Sequence, residues 1–219
     1  MSLIPFETNS SICVAGGTSS GKTFWVHKFL LHLEEMYKSN PPVQVMYCYG
    51  VHQPLFDQME KEMSYIEFHP GIPTQTEIEQ FTSDGRHRLI CLDDLMSEVT
   101  SSKTMQDLFC QYCHHRNLSV IFITQNIFQQ GKFARTIALN THYLVLLRNM
   151  RNASQVNALG RQLYPGNAGM LEEIYKDATS EAYGYLVIDT SPHSDDRHRL
   201  RTKIFPGETP IIYVPKTQA

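Results

Sequence analysis

The 219-residue chain is 42% hydrophobic and 19% charged, with 12 Gly and 11 Pro, values that exclude a collagen repeat, a disulfide scaffold and a disordered chain. Nineteen Lys+Arg against twenty-two Asp+Glu leave a formal net charge of -3, so no global positive field draws it to nucleic acid or to an acidic membrane. The length suits one α/β domain over residues 1–219.

Residues 11–17 read as a short apolar strand entering a glycine turn, and 22–37 as a helix with Phe24, Phe29, Leu30, Leu33 and Met36 at helical spacing. Pro41 and Pro42 break the chain before 43–49, a nearly continuous run of strand formers closed by Gly50. Short helices over 54–63 and 74–81 flank residues 65–69. Residues 88–92 are an apolar run closed by Asp93 and Asp94, a third core strand. The spacing predicts a helix over 104–115, buried strands over 119–124 and 141–147, and helices over 153–164 and 169–178. Strand and helix in alternation predict a mainly parallel sheet flanked by helices on both faces. Residues 183–188, 200–205 and 210–214 read as late strands split by turn residues, a short antiparallel C-terminal extension of that sheet.

Gly16-Gly17-Thr18-Ser19-Ser20-Gly21-Lys22-Thr23 fits G-x-x-x-x-G-K-[ST] at every fixed position, between a predicted strand and an amphipathic helix, where such a loop must lie. Its glycines let backbone N–H groups turn inward around phosphate oxygens, and the helix N-terminus adds partial positive charge. Lys22 then reaches the β and γ phosphates of ATP and the Thr23 hydroxyl binds Mg²⁺. As an exposed loop lysine, Lys22 is expected to contribute little to the core. A bland glycine turn has no need of a lysine followed by threonine at the start of a helix, so the reading is a P-loop ATPase domain.

Leu89-Ile90-Cys91-Leu92-Asp93-Asp94 supplies a buried strand that delivers acids at its C-terminal end. Asp93 is the metal-side acid. Asp94 is placed to orient or deprotonate the attacking water, since adjacent carboxylates at a strand end can divide metal and water duties. Thr124-Gln125-Asn126 ends the next strand and carries an amide to the same edge, where Gln125 senses the γ phosphate or holds the water.

The order GGTSSGKT, LICLDDL, HHRNLSVIFITQN and LNTHYLVLLRN resembles the FtsK/HerA branch of P-loop ATPases, and most of all the genome-packaging ATPases of Polinton/Maverick elements, adintoviruses and virophages. The resemblance runs from about Ser11 through YGYLVIDTSP and RLRTKIFP, nearly the whole chain. It implies a RecA/FtsK-like ASCE sheet, with ATP and Mg²⁺ bound to a homo-oligomeric ring, pentamer or hexamer. That ring pumps double-stranded DNA into a preformed capsid, so capsid proteins are further partners and the virion or the capsid-assembly site of the host cell is the location. By position, Lys22 and Thr23 hold nucleotide and Mg²⁺, Asp93 and Asp94 form the acidic pair and Gln125 is the polar sensor. Many relatives carry Glu, one methylene longer, where this chain has Asp94. The resemblance also implies an arginine given in trans to the γ phosphate. Arg116 ranks first, Arg148 and Arg151 after the next strand come second, and Arg135 completes the candidates. Two rivals are an FtsK-like DNA translocase not tied to a capsid, whose members usually carry membrane anchors or extra DNA-binding domains, and a nucleotide-dependent assembly switch with negligible turnover.

Other features carry less. Cys110-Gln111-Tyr112-Cys113-His114 matches the haem-attachment spacing, and with His115 it offers four zinc ligands. On a helix His114 and His115 point about 100° apart, so the four cannot converge on one tetrahedral ion. Residues 195–203, the densest basic stretch, read as a solvated turn into an edge strand. The 128–135 loop, with Lys132 and Arg135, reads as a DNA or subunit contact. The longest apolar runs, 118–123 and 143–147, fall far short of the roughly 20 residues of a membrane span. Residues 1–10 lack a secretory pattern, so the expectation is no membrane contact and no secretion. Five cysteines, three of them (Cys13, Cys48, Cys91) in strand-like runs, point to free thiols in a reducing compartment.

Overall fold

A computed structural model describes residues 4–113, 116–128, 130–149 and 153–215. The strands are β1 (Ser11–Ala15), β2 (Gln44–Tyr49), β3 (Ile66–Pro70), β4 (Arg88–Asp93), β5 (Leu118–Thr124), β6 (Tyr143–Leu147), β7 (Tyr185–Asp189), β8 (Leu200–Thr202) and β9 (Ile211–Tyr213). They form one sheet in the order β3-β2-β4-β5-β1-β6-β7-β8-β9. The pairs from β3 to β6 are parallel. Those from β6 to β9 are antiparallel, the extension expected from the late strands. Strands β1, β4 and β5 are buried along their whole length, the requirement that makes their sequences continuous apolar runs rather than alternating ones.

Alternate residues of each strand serve two cores. Ile12 and Val14 of β1 face α1 (Lys22–Leu31), α2 (Leu33–Met36) and α3 (Pro54–Glu62), whose Val26, Phe29, Leu30, Phe56 and Met59 fill that side. Cys13 and Ala15 face the opposite layer of α4 (Gln75–Phe81), α5 (Met96–Ser101), α6 (Lys103–Asp107), α7 (Ala134–Leu139), α8 (Ala153–Leu163) and α9 (Ala168–Ala178). Cys13, Cys48, Cys91 and Cys113 are buried free thiols within these cores. No helix among the described residues is long and apolar enough to cross a membrane.

Three local expectations change. The helix expected over 22–37 breaks at His32 (φ -108, ψ 25) into α1 and α2. The helix expected over 104–115 is α6 followed by a π-helical turn, Leu108–Tyr112, while His114 and His115 lie outside the described residues. Leu108, Phe109 and Cys113 are buried with Met105 of α6, the i, i+3, i+4, i+8 spacing of one helix face, so the burial pattern alone does not mark the wider turn. Two short helices, α5 and α7, were not expected. Each buries only two residues, Val99 and Thr100 or Ala134 and Ile137, too few to leave a period in the sequence.

Candidate functional site

Because β1, β4, β5 and β6 run parallel, their C-terminal ends meet at one edge of the sheet, where the chain crosses from one side of β1 to the other. The register puts Ala15 opposite Thr124 and Leu146, and Asp93 opposite Ile123. Loop 16–23 leaves β1 at this edge. Gly16 N donates to Thr124 O (3.2 Å) and Gly17 N to Arg148 O (3.4 Å), which pins the loop to both neighbouring strands. A Cβ on Gly16 would stand 2.6 Å from Ser20 Oγ and 2.8 Å from Leu147 Cβ, so only glycine fits. Gly21 caps α1 in the left-handed region (φ 97) with no side-chain cap. The first turn of α1 contains no acidic residue, so its N–H groups and partial positive charge face the cleft without a competing carboxylate.

The cleft at this edge, about 580 Å³, is lined by Thr18, Lys22, Thr23, Asp93, Asp94 and Gln125 among others. Residues chosen from separated stretches of sequence therefore share one cavity. Lys22 is half-buried at the first position of α1 rather than exposed, and its Nζ donates to Gly16 O (3.0 Å) and Gly17 O (2.8 Å). Desolvation is the main influence on that ammonium and lowers its pKa, while Asp93 and Asp94 oppose the shift. Asp93 is buried at the end of β4, where its Oδ2 accepts from Thr23 Oγ1 (3.3 Å) and Tyr47 Oη (2.8 Å). A carboxylate and a hydroxyl that already meet are an all-oxygen donor pair of the kind Mg²⁺ takes, so the residues present fit that ion.

Tyr47 was not singled out in the sequence. Only the β2–β4 register, which sets Tyr47 against Cys91 and Tyr49 against Asp93, reveals that its hydroxyl reaches the acid.

Burial is the largest influence on Asp93 and raises its pKa. The Tyr47 and Thr23 hydrogen bonds and Lys22 pull it down, and Asp94 adds to the rise. The folded chain thus holds the Asp93 proton more tightly than the unfolded chain, and stability from this group falls as pH climbs from the ordinary carboxylate range through the raised value. Asp93→Asn removes that penalty at neutral pH while keeping an acceptor for Tyr47. Thermal unfolding without Mg²⁺ should therefore show a higher melting temperature than wild type. A lower one would mean that the two hydrogen bonds outweigh the burial of charge.

Asp94 is exposed and sits in the left-handed region at φ 57, a conformation Asp tolerates better than most residues. The turn is held from β2: Gly50 N donates to Asp93 O (3.1 Å), and a Cβ on Gly50 would lie 2.8 Å from Asp94 O. The backbone reversal sends the two neighbouring carboxyl groups into different surroundings, one buried and one in solvent. Gln125 is exposed just after β5, its backbone carbonyl accepting from Asn149 Nδ2 (3.3 Å).

The arginines divide by sheet edge. Arg116 precedes the seven-residue β5, so it stands roughly 23 Å from that strand's far end. There it lies 3.4 Å from Glu79 Oε1, with its guanidinium 4.7 Å above the Tyr112 ring. It is not part of the cleft of its own chain. Arg148 is exposed at the cleft edge beyond β6, Arg135 is exposed on α7, and Arg151 lies outside the described residues. The late basic stretch is largely consumed within the fold. Arg199 binds Asp196 (2.6 Å) and the carbonyls of Asp189 and Ser191. Arg201 is buried 3.6 Å from Asp189 Oδ2 and near the Phe6 and Tyr143 rings. Lys132 lies over the Phe133 ring at 5.1 Å, while Gln129 of the same segment lies outside the described residues.

No family model and no curated protein matches the chain. Solved structures match in 264 chains, among them one titled "The cytoplasmic domain of EssC", with a TM-score of 0.51 and 12% identity over 96% of this chain and 41% of that one. The chain thus spans less than half of the length of that solved chain. At this identity the likeness establishes the fold, a mixed α/β domain built on a mostly parallel central sheet.

Proposed function

We propose that the chain is an ATP-hydrolysing motor that translocates double-stranded DNA into a preformed capsid, working with Mg²⁺ as a homo-oligomeric ring of five or six subunits. The observation that carries the reading is the meeting of loop 16–23, Asp93, Asp94 and Gln125 in one cleft at the C-terminal edge of the parallel strands. The resemblance in the order of the sequence segments supports the packaging branch.

In this reading the triphosphate lies along loop 16–23, and Lys22 exchanges the Gly16 and Gly17 carbonyls for β and γ phosphate oxygens. Thr23 and Asp93 would hold Mg²⁺, which when bound offsets charge on the phosphates. Gln125 orients a water in line with the γ phosphorus and Asp94 accepts its proton. The water oxygen bonds to phosphorus as the bond to the β-phosphate oxygen breaks, giving ADP and phosphate. Arg116, lying away from the cleft of its own chain, serves that of the neighbouring subunit. Lys132 and Arg135 in the segment after β5 meet the DNA backbone.

DNA is expected to stimulate turnover with little sequence preference. Each phosphate contact adds about 0.9 to the salt slope, so two contacts would cost roughly tenfold in affinity between about 50 and 200 mM salt. Steady-state ATPase assays across salt and DNA sequence check this. A flat response, or nucleotide-driven assembly with negligible turnover, would instead identify an assembly switch.

A further inference from the structure

We propose that Phe24 and Tyr183 form a stacking platform for the base of a nucleoside triphosphate, with the nucleoside directed into a second cleft beside Gly21. The inference rests on the reading of loop 16–23 as a phosphate site and adds the part of the ligand that the loop does not hold.

The second cleft, also about 580 Å³, is separated from the first only by a shared border of Gly21, Phe24 and Tyr183. Lys22 and Thr23 serve the β and γ end of a triphosphate, so the nucleoside leaves the loop past the next residue, Phe24. Phe24 is 54% exposed and Tyr183 63% exposed, with ring centroids 6.1 Å apart and planes tilted by 44°. Both side chains line both clefts and keep more than half of their surface open to a ligand.

The backbone at Tyr183 strengthens the case. Its φ of 61 is in the left-handed region, an outlier for a bulky side chain and the sort of strain that surrounding structure must impose. That structure is the turn from α9 to β7. Gly184 N donates to Glu181 O (3.1 Å), and a Cβ on Gly184 would lie 2.7 Å from Ala178 O. The turn presses the Tyr183 ring over the loop so closely that a Cβ on Gly21 would stand 2.6 Å from Tyr183 Cδ1. Gly21 thus serves both its own left-handed backbone and the close approach of the ring.

The charged groups lining the second cleft are largely spent on one another. Lys28 pairs with Glu208 (2.6 Å), Lys203 with Glu181 (3.2 Å), and Tyr213 Oη donates to Asp177 Oδ2 (2.6 Å). Recognition therefore rests on the faces of the base rather than its edges, and adenine and guanine nucleotides are held about equally.

The test compares equilibrium binding of ATP, GTP and inorganic tripolyphosphate, all with Mg²⁺. Wild type should bind ATP roughly 5- to 100-fold more tightly than tripolyphosphate, the range that base stacking on an aromatic ring provides, with GTP within about tenfold of ATP. Tyr183→Ala and Phe24→Ala should each lose most of that advantage with tripolyphosphate affinity unchanged, and Tyr183→Phe should keep it. Tyr183→Gly, freed of its backbone strain, should lose the advantage while melting no lower than wild type, which separates the platform from a structural role. Equal binding of ATP and tripolyphosphate by wild type, or a Tyr183→Ala protein that keeps the preference, overturns the platform while leaving the phosphate site standing. Tripolyphosphate binding that survives Lys22→Ala overturns the phosphate site and the platform with it.

Discussion

Lys22→Ala is expected to reduce ATP turnover by about 10³-fold or more, because on the proposed reading it removes the ammonium that meets the charge developing on the β and γ phosphates. The fold should survive. Lys22 donates two hydrogen bonds to Gly16 O and Gly17 O, but its ammonium is partly desolvated there, so the gain from the bonds is set against the cost of burial. The net change in stability should stay below about 2 kcal/mol. Lys22→Arg keeps the charge yet replaces a compact ammonium by a planar fork, and it should not rescue turnover. Chemical denaturation alongside steady-state ATPase assays checks both halves. Near-normal turnover in a folded Lys22→Ala protein would remove loop 16–23 from the chemistry.

Asp94→Asn should lower turnover by roughly 10²-fold or more while ATP and Mg²⁺ still bind, since a positioned general base contributes at least that much. Asn accepts the left-handed backbone at φ 57 as readily as Asp, and the side chain is exposed, so the substitution tests the carboxylate and little else. Asp93→Asn should behave differently. It removes the buried acid that meets the Thr23 hydroxyl, so the loss should appear as weakened Mg²⁺-dependent nucleotide affinity as well as slower turnover. Binding titrations with and without Mg²⁺ separate the two variants. Equal loss of affinity in both would show that the carboxylates do not divide the work between metal and water.

The candidate site was more legible in the sequence than most of the core that supports it. A loop of fixed spacing between a strand and a helix is a local pattern, and Gly16, Gly21, Lys22 and Thr23 all lie within eight residues of one another. Asp93, Asp94 and Gln125 follow from a single inference, that parallel buried strands deliver their last residues to one edge. Tyr47 and Tyr183 escaped because each acts on a residue far away in the chain, Asp93 and Gly21, and an isolated tyrosine in a strand or a turn carries no spacing signal. Arg201 looked like part of a basic surface stretch, yet it lies buried near Asp189, Phe6 and Tyr143.

What the sequence determined by itself is the character of the elements: continuous apolar runs that need cover on both faces, a glycine loop that can cradle an anion, and acids at strand ends. These follow from side-chain period and backbone freedom, which act over a few residues. The tertiary structure decided which strands are neighbours. It set β5 between β1 and β4, so that the loop and Asp93 face each other across an intervening strand, and it placed Arg116 at the edge away from the cleft of its own chain. Every parallel pairing joins segments through a crossover, and the choice among buried strands of similar composition is made by the packing of whole faces.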